Sequence, residues 1–498
     1  MAFLKFNGNM YAKQIALFAS IIIFIYLFLL KDSDNLDKKI LDLWSGAKSE
    51  LTHSLSDLNS SSQELYFLGI SSYQIVDYSF KSAKGELIDD LLLLFLKTTP
   101  YLVYTDKYQF VYLNYRDRYL TKELTDSYPM WLDKDKREDI LASAQFLFTI
   151  SMAINHIMQI DPKDRTNTMH KFIQNFTPIV ESHYRRWVLG TRDKKDNTLL
   201  GVLERRGWGC KNNKEEYICN KTLREDIIGL RSNYQGDSYC NSLTDEVMLV
   251  YAGLGYYLSS YHHTIQNREL LESFRDAVTL FSQHFKSYTS HDFNGKEIET
   301  LGFEEGVWAE HPDFAYSLYS KNSFPPHGSS AINRGVGMDI SHAGTVVAFL
   351  EMLISCKKEL NINFPTDDQM KMFTNRFLYN VFNSDLQNPL FKNYMDGSNG
   401  WFRVIPDGSG YAPYNLTSTA LIRGYPRLGR FSPKLKEVFG TIRDKLNSDN
   451  LKNMEFIQKF YQKTVWSHNY LKNEYDFYGE EIDPHTALFL MNFYSSLI

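Results

Sequence analysis

From about residue 139 to the end of the chain, apolar residues alternate between two helical patterns. The first is apolar on nearly every side. Residues 139–160 carry Ile140, Leu141, Phe146, Leu147, Phe148, Ile150, Met152 and Ile154 with little polar face. The second keeps its apolar residues to one stripe, as 165–187 does with Met169, Phe172, Ile173, Phe176, Ile179, Val180 and Trp187. The pair recurs as 244–261 with 267–286 and as 340–360 with 366–384. Shorter versions follow at 414–422 with 433–446 and at 451–463 with 484–497. A helix that is apolar all round has to be buried, whereas a one-sided helix covers it and meets water. The alternation therefore predicts a mainly α chain, an α/α toroid in which helical hairpins form a complete or incomplete barrel. An open solenoid is the alternative, but the spacing of roughly 70–100 residues between hairpins is too long and uneven for standard helical repeats.

Upstream, 35–58 reads as a charged helix ended by a turn at Asn59-Ser60-Ser61-Ser62, and 86–97 as a second helical stretch. Its Leu91–Leu96 run is far too short to cross a bilayer and predicts a buried helix. The longest loops are 187–241 and 291–338. The second contains β-like pieces at Val307-Trp308 and 314–319, so short β pieces are expected in loops.

Ile15–Leu30 is an unbroken apolar run bounded by Gln14 and Lys31-Asp32. It is slightly shorter than the ~20 residues a spanning helix needs, a difference that snorkelling of Lys13 and Lys31 makes up. A cleaved signal peptide is the competing reading, but no Ala-x-Ala-like site follows. The expectation is an uncleaved anchor. Basic residues flank both sides, so their count does not orient it; the signal-like layout puts the N-terminus in the cytoplasm and the rest outside. The organisation expected is a tail and transmembrane signal anchor at 1–31, a juxtamembrane helical region at 32–138 and the toroid at 139–498.

The chain has 498 residues, 43% of them hydrophobic, enough for a large core. A net charge of −5 with no basic tract argues against nucleic acid as a partner. Cys210 and Cys219 lie in a polar stretch and could form a disulfide in an oxidising compartment; unrelated thiols are the alternative.

Chemistry concentrates at Asn333-Arg334-Gly335-Val336-Gly337-Met338-Asp339-Ile340-Ser341-His342-Ala343-Gly344, just ahead of an apolar helix. Glycines place the cluster on a turn, and a helix start presents unpaired N–H groups to a ligand. Plain helix capping by Asp339 or Ser341 is the simpler account. Capping explains Thr244, Asp245 and Asp483 at other inner-helix starts, but not His342 or His485. Glu304 to Asp313 adds carboxylates beside Trp308 and His311, a setting that could raise a general acid's pKa; solvated loop acids are the alternative. Trp401 and Arg403, with Arg423 and Arg334, could stack on a sugar face and grip a carboxylate, although core packing accounts equally for the rings. Asp339, His342, Glu310 and His311 are metal-competent, but no strong ligand spacing appears, so no metal or other cofactor is expected.

In architecture the region 139–498 resembles the α/α-toroid carbohydrate-active enzymes, which include polysaccharide lyases, glycoside hydrolases and uronyl epimerase-like domains. That resemblance implies a polysaccharide or oligosaccharide partner. It implies Asn333 and Arg334 as groups that neutralise a uronate carboxylate, with His342 and Tyr414 moving protons; Trp308, Trp401, Arg403 and Arg423 complete the expected binding surface. Glu310 with Asp339 is the pair a hydrolase would use. A membrane-tethered glycan-binding or assembly protein without turnover is the remaining class.

Overall fold

The computed structural model describes residues 35–56, 58, 62–104, 110–114, 118–122, 126–132, 138–192, 194–197, 199–200, 222–232, 243–309, 311–326, 328–330, 333–405, 408–462, 475–479 and 481–498. The chain is mainly helical. Its helices are α1 (35–56), α2 (Ser62–Lys81), α3 (Gly85–Leu96), α4 (Ile140–Gln159), α5 (Asn167–Leu189), α6 (Leu223–Ser232), α7 (Asp245–Tyr261) and α8 (Arg268–Gln283). They continue as α9 (Ala343–Ser355), α10 (Lys357–Leu360), α11 (Asp367–Arg376), α12 (Thr419–Ile422), α13 (Pro433–Leu446), α14 (Leu451–Phe460) and α15 (Pro484–Ser496). Four two-stranded antiparallel ladders interrupt them: β1 (Leu102–Tyr104) with β4 (Pro129–Trp131), β2 (Phe110–Asn114) with β3 (Arg118–Lys122), β5 (Thr191–Arg192) with β6 (Leu199–Leu200), and β7 (Phe285–His291) with β8 (Glu297–Phe303).

Local sequence sets where the helices begin. Side-chain oxygens of Asp139, Thr166, Thr244, Ser432 and Asp483 accept from first-turn N–H groups of α4, α5, α7, α13 and α15. Thr366 and Gln369 close a reciprocal capping box on α11. Each such cap is worth about 1 kcal/mol.

The helices that are apolar all round pack on one another. α2 lies against α4, α4 against α7, α7 against α9, and α15 against both α2 and α12. These helices run parallel. Along α2 and α4, Thr149 donates 2.9 Å to the Gly69 carbonyl, and His156 meets Asp77 at 3.0 Å. Along α15 and α2, His485 stacks on Phe67, and Asn492 bonds the Ser71 carbonyl. Between α7 and α9, a Cβ on Gly255 would fall 2.2 Å from the Met352 sulfur. The α12 segment continues through a 3-10 turn, Tyr425–Phe431, in which Arg430 pairs with Glu351 of α9 and Arg427 with Asp77 of α2. One buried apolar cluster extends from Ile40 and Leu43 of α1 to Phe493 and Tyr494 of α15. Burial of each large aliphatic or aromatic side chain there contributes about 1.5–3 kcal/mol.

Several elements differ from the sequence expectation. α2 was not anticipated, because Ser72, Gln74, Asp77 and Ser79 break its apolar pattern, yet all four are buried. The β7–β8 hairpin occupies residues expected partly as helix end and partly as loop; its turn holds Asn294-Gly295, with Gly295 at φ +76° and Asp292 accepting from the Asn294 and Lys296 amides. Val307-Trp308 lies in a turn, and the 314–319 stretch follows a short 3-10 helix, Pro312–Phe314, rather than forming strand. The helix expected at 414–422 is confined to α12.

Among the described residues, Ile140–Gln159 is the helix long and apolar enough to cross a membrane, and it is a core helix, largely buried between α2 and α7. The Ile15–Leu30 run and Cys210, Cys219 and Cys240 lie outside the described residues. Cys356 is a buried free thiol, pushed up to about 12 by burial.

Candidate functional site

Asp339 is fully buried at the end of the loop that leads into α9, where it bridges to Tyr394. One carboxylate oxygen accepts from the backbone amides of Ser341 and His342, at 3.0 and 3.2 Å, and from the Ser341 hydroxyl. The other lies 2.6 Å from Nδ1 of His342. A single carboxylate thus holds the turn that leads into α9 and orients the imidazole. Burial would raise the Asp339 carboxyl, but His342, Ser341 and the charge of Arg403 outweigh it and hold it at about 2. Burial would lower His342, and here the Asp339 charge and hydrogen bond win, leaving the imidazole above its ordinary value. An ionised Asp339 can only accept, so Nδ1 carries the proton and the neutral ring presents its Nε2 lone pair on the opposite side.

That opposite side faces Arg403, whose Nη2 is 3.4 Å from Nε2. Arg403 is held by Asp313 through a 2.7 Å bond from Nε and a 3.1 Å backbone bond. It also occupies a left-handed conformation, φ +51°, which a side chain of this size rarely adopts. The ring of Trp308 lies 5.4 Å from that of His342, and Phe402 meets it edge-on at 5.9 Å. Behind them is His311, buried and lowered to about 4 by desolvation, so it stays neutral at pH 7. Its Nδ1 accepts from the Asp313 amide, fixing the carboxylate that holds Arg403. His342 and Arg403 keep 19% and 31% side-chain exposure, so both reach solvent.

Three more groups join from other helices. Arg423 passes under the start of α9, donating 3.0 Å to the Ser341 carbonyl and 3.1 Å to Thr345 Oγ1. It also hydrogen-bonds the phenol of Tyr66 on α2, which burial keeps protonated by raising its pKa. Asp245, in the first turn of α7, acts electrostatically on both His342 and Tyr66. Thr244, not Asp245, caps that helix. Sequence reasoning missed Tyr66 because α2 itself was missed, and it treated Asp245 as a cap. Their signal was position: each lies near the start of a buried helix.

Other expected site residues are placed elsewhere. Trp401 is buried, with its indole N–H on the Lys321 carbonyl at 2.7 Å and its ring edge-on to Phe324. Asn333 accepts from the Gly335 amide and shapes the turn, and Arg334 is exposed on that turn. The Tyr414 backbone, at φ +68°, is held by Asn399, and its phenol makes no hydrogen bond to His342 among the described residues. Glu310 lies outside the described residues. His485 packs between Tyr475 and Phe67 and meets Glu50 at 3.1 Å, a wall position. In the neighbouring stretch Glu305 pairs with Arg376, which covers the Tyr288 ring at 4.0 Å. Burial leaves the Glu305 carboxyl above its ordinary value despite that pair.

Among the described residues no group of three or more His, Cys, Asp or Glu side chains is gathered for a metal ion. No protein family, curated protein or solved structure matches this chain.

Proposed function

We propose that the chain is a membrane-anchored, extracytoplasmic enzyme that acts on a uronate-containing polysaccharide by β-elimination or epimerisation. The observation that carries this reading is the Asp339–His342 pair, with the unprotonated imidazole nitrogen directed at Arg403. The architecture behind it is read as an α/α toroid whose inner helices are α2, α4, α7, α9, α12 and α15. The parallel packing of α2, α4, α7 and α9, the contact of α12 with α15 and the return of α15 onto α2 support that reading and extend it upstream to Ser62. Tyr66, Asp245 and His342 then converge because all three lie near inner-helix starts.

In this mechanism Arg403, steadied by Asp313, neutralises the sugar carboxylate and makes the hydrogen on the adjacent carbon more acidic. His342 Nε2 takes that proton. In elimination the C–H electron pair becomes a C=C bond, the neighbouring C–O bond breaks, and the departing oxygen takes a proton from the Tyr66 phenol. In epimerisation the C–O bond stays intact, the Tyr66 phenol instead delivers a proton to the opposite face of the carbon, and His342 gives up its own proton to solvent. Glycosidic hydrolysis through Asp339 and Glu310 fits less well, since Asp339 is enclosed and both its oxygens are committed to hydrogen bonds.

The test is a product assay of the purified chain on acidic and neutral polysaccharides, beside His342→Ala. Ultraviolet-absorbing unsaturated ends, absent from the folded variant, support elimination; deuterium uptake from solvent without chain cleavage supports epimerisation. New reducing ends without absorbance would point to hydrolysis. Binding retained by His342→Ala with no turnover by either protein would leave a glycan-binding module.

A further inference from the structure

The inner helices also share an opposite end, and it carries a cavity of about 540 Å³. Lys81, Arg427, Arg430, Lys436 and Arg443 line it, against the side chains of Asp77 and Glu437. Asp77 is occupied by Arg427 at 2.9 Å and Lys81 at 2.7 Å, Arg430 is paired with Glu351, and Glu437 with Lys434. The Lys436 ammonium makes no hydrogen bond or ion pair among the described residues, and Arg443 is paired with the exposed Asp444 at 2.9 Å. Burial and the charge of Arg443 together hold the nearby Lys39 ammonium below its ordinary value. An excess of positive charge around a concave space of ligand size is the setting in which an anion binds.

The position of this cavity identifies the anion. Leu36, in the first turn of α1, lines it, and Leu30, the last residue of the apolar run, precedes Leu36 by six residues. Six residues span at most about 20 Å. The candidate catalytic groups lie at the other end, since Tyr66 and Asp77 are separated along α2 by eleven residues, or about 16 Å of helix. With Ile15–Leu30 in the bilayer, the cavity lies within about 20 Å of the headgroup layer, and His342 lies toward the far end of the helices.

We propose that this cavity binds the phosphate-bearing headgroup of an anionic lipid and seats the protein upright on its membrane. The inference rests on the anchoring part of the reading above and is independent of the reaction. It is tested on the full chain in neutral detergent by calorimetric titration with short-chain dihexanoyl phosphatidylglycerol, dihexanoyl phosphatidylcholine and inorganic phosphate. Saturable binding of phosphatidylglycerol is expected, weakened at least tenfold in Lys436→Glu/Arg443→Glu and unchanged in Lys452→Glu/Lys459→Glu, which carries the same charge change outside the cavity. The neutral pair Lys436→Gln/Arg443→Gln serves if the reversed charges disturb folding. Equal affinity for inorganic phosphate, or for phosphatidylcholine, would overturn a lipid-headgroup site, as would the absence of saturable binding. Carbonate extraction of membranes reports separately on the anchor, so failure of the site and failure of the anchoring reading are told apart.

Discussion

Arg403 Nη2 stands 3.4 Å from His342 Nε2, on the side of the imidazole opposite the 2.6 Å contact with Asp339. The ring is thus held between a carboxylate that favours its proton and a guanidinium that opposes it. On the proposed mechanism, Arg403→Ala removes the charge that stabilises the developing enediolate. The expected loss in kcat is about 10²- to 10³-fold, the cost of deleting one preorganised electrostatic donor. Initial rates of ultraviolet-absorbing product measure it, and a variant with unchanged kcat would remove Arg403 from the chemistry.

Asp339→Asn separates orientation from charge. The amide can still accept from the backbone amides of Ser341 and His342, but it no longer attracts a proton onto the ring. Burial then outweighs the remaining charge of Asp245, and the His342 pKa falls from above its ordinary value to below it. Histidine-resolved NMR titration of wild type and variant follows this directly; a midpoint that does not move downward contradicts the assigned role of Asp339.

The same pair predicts a stability window. His342 is raised in the folded state, so its contribution is complete below about 6.5, the unfolded value, and is lost as pH rises through the folded value. Asp339 is depressed to about 2, so its contribution is present above the ordinary carboxylate range and is lost as pH falls toward 2. His311 and His183, each lowered to about 4, oppose this on the acid side, because the unfolded state gains protons below 6.5. The difference in Tm between wild type and Asp339→Asn cancels His183, and all of His311 but the smaller part of its shift that comes from the Asp339 charge. It should be largest between about pH 4 and 6.5. A difference that grows steadily above pH 7 would contradict the assignment.

What could be read from the sequence follows from range. Asp339 and His342 are three residues apart at a helix start, so local pattern alone joined them. The one-sided helices were legible because water meets one face, and α13 spans the residues the pattern predicts. α2 escaped because a buried helix can hold polar side chains against partners far away in the chain, as Asp77 does with Arg427. Arg403 was recognised as a candidate, but its approach to His342 depends on Asp313, ninety positions away, and no local spacing encodes that.

Gly69 marks the closest approach of α2 to α4. A Cβ there would stand 2.7 Å from the backbone of Gln145 and Phe146, and backbone in a helix cannot swing aside as a side-chain tip can. Gly69→Ala should therefore destabilise the fold by about 1–3 kcal/mol or more by overpacking, despite the better helix propensity of Ala. Chemical denaturation measures this, and a stabilised variant would mean that the two helices are farther apart than described.

Asp77 ties together the end of the helices remote from His342. It receives Arg427 from the Tyr425–Phe431 turn, His156 from α4 and Lys81 from its own helix, and these partners, Arg427 foremost, hold its carboxyl far below the ordinary range against the opposing effect of burial. Removing it leaves the guanidinium of Arg427 buried without its partner. Asp77→Ala is expected to cost about 3–5 kcal/mol, the penalty for stranding one member of a buried pair. Asp77→Ala/Arg427→Met, which removes both charges and refills the space, should recover most of that loss. The sign with pH follows from the depressed carboxyl: the contribution is present above the unfolded value near 3.9 and disappears as pH falls through the folded one. Urea denaturation of the single and double variants at pH 7 provides the cycle, and a double variant no more stable than Asp77→Ala would show that packing around Asp77, and not its charge, joins these helices.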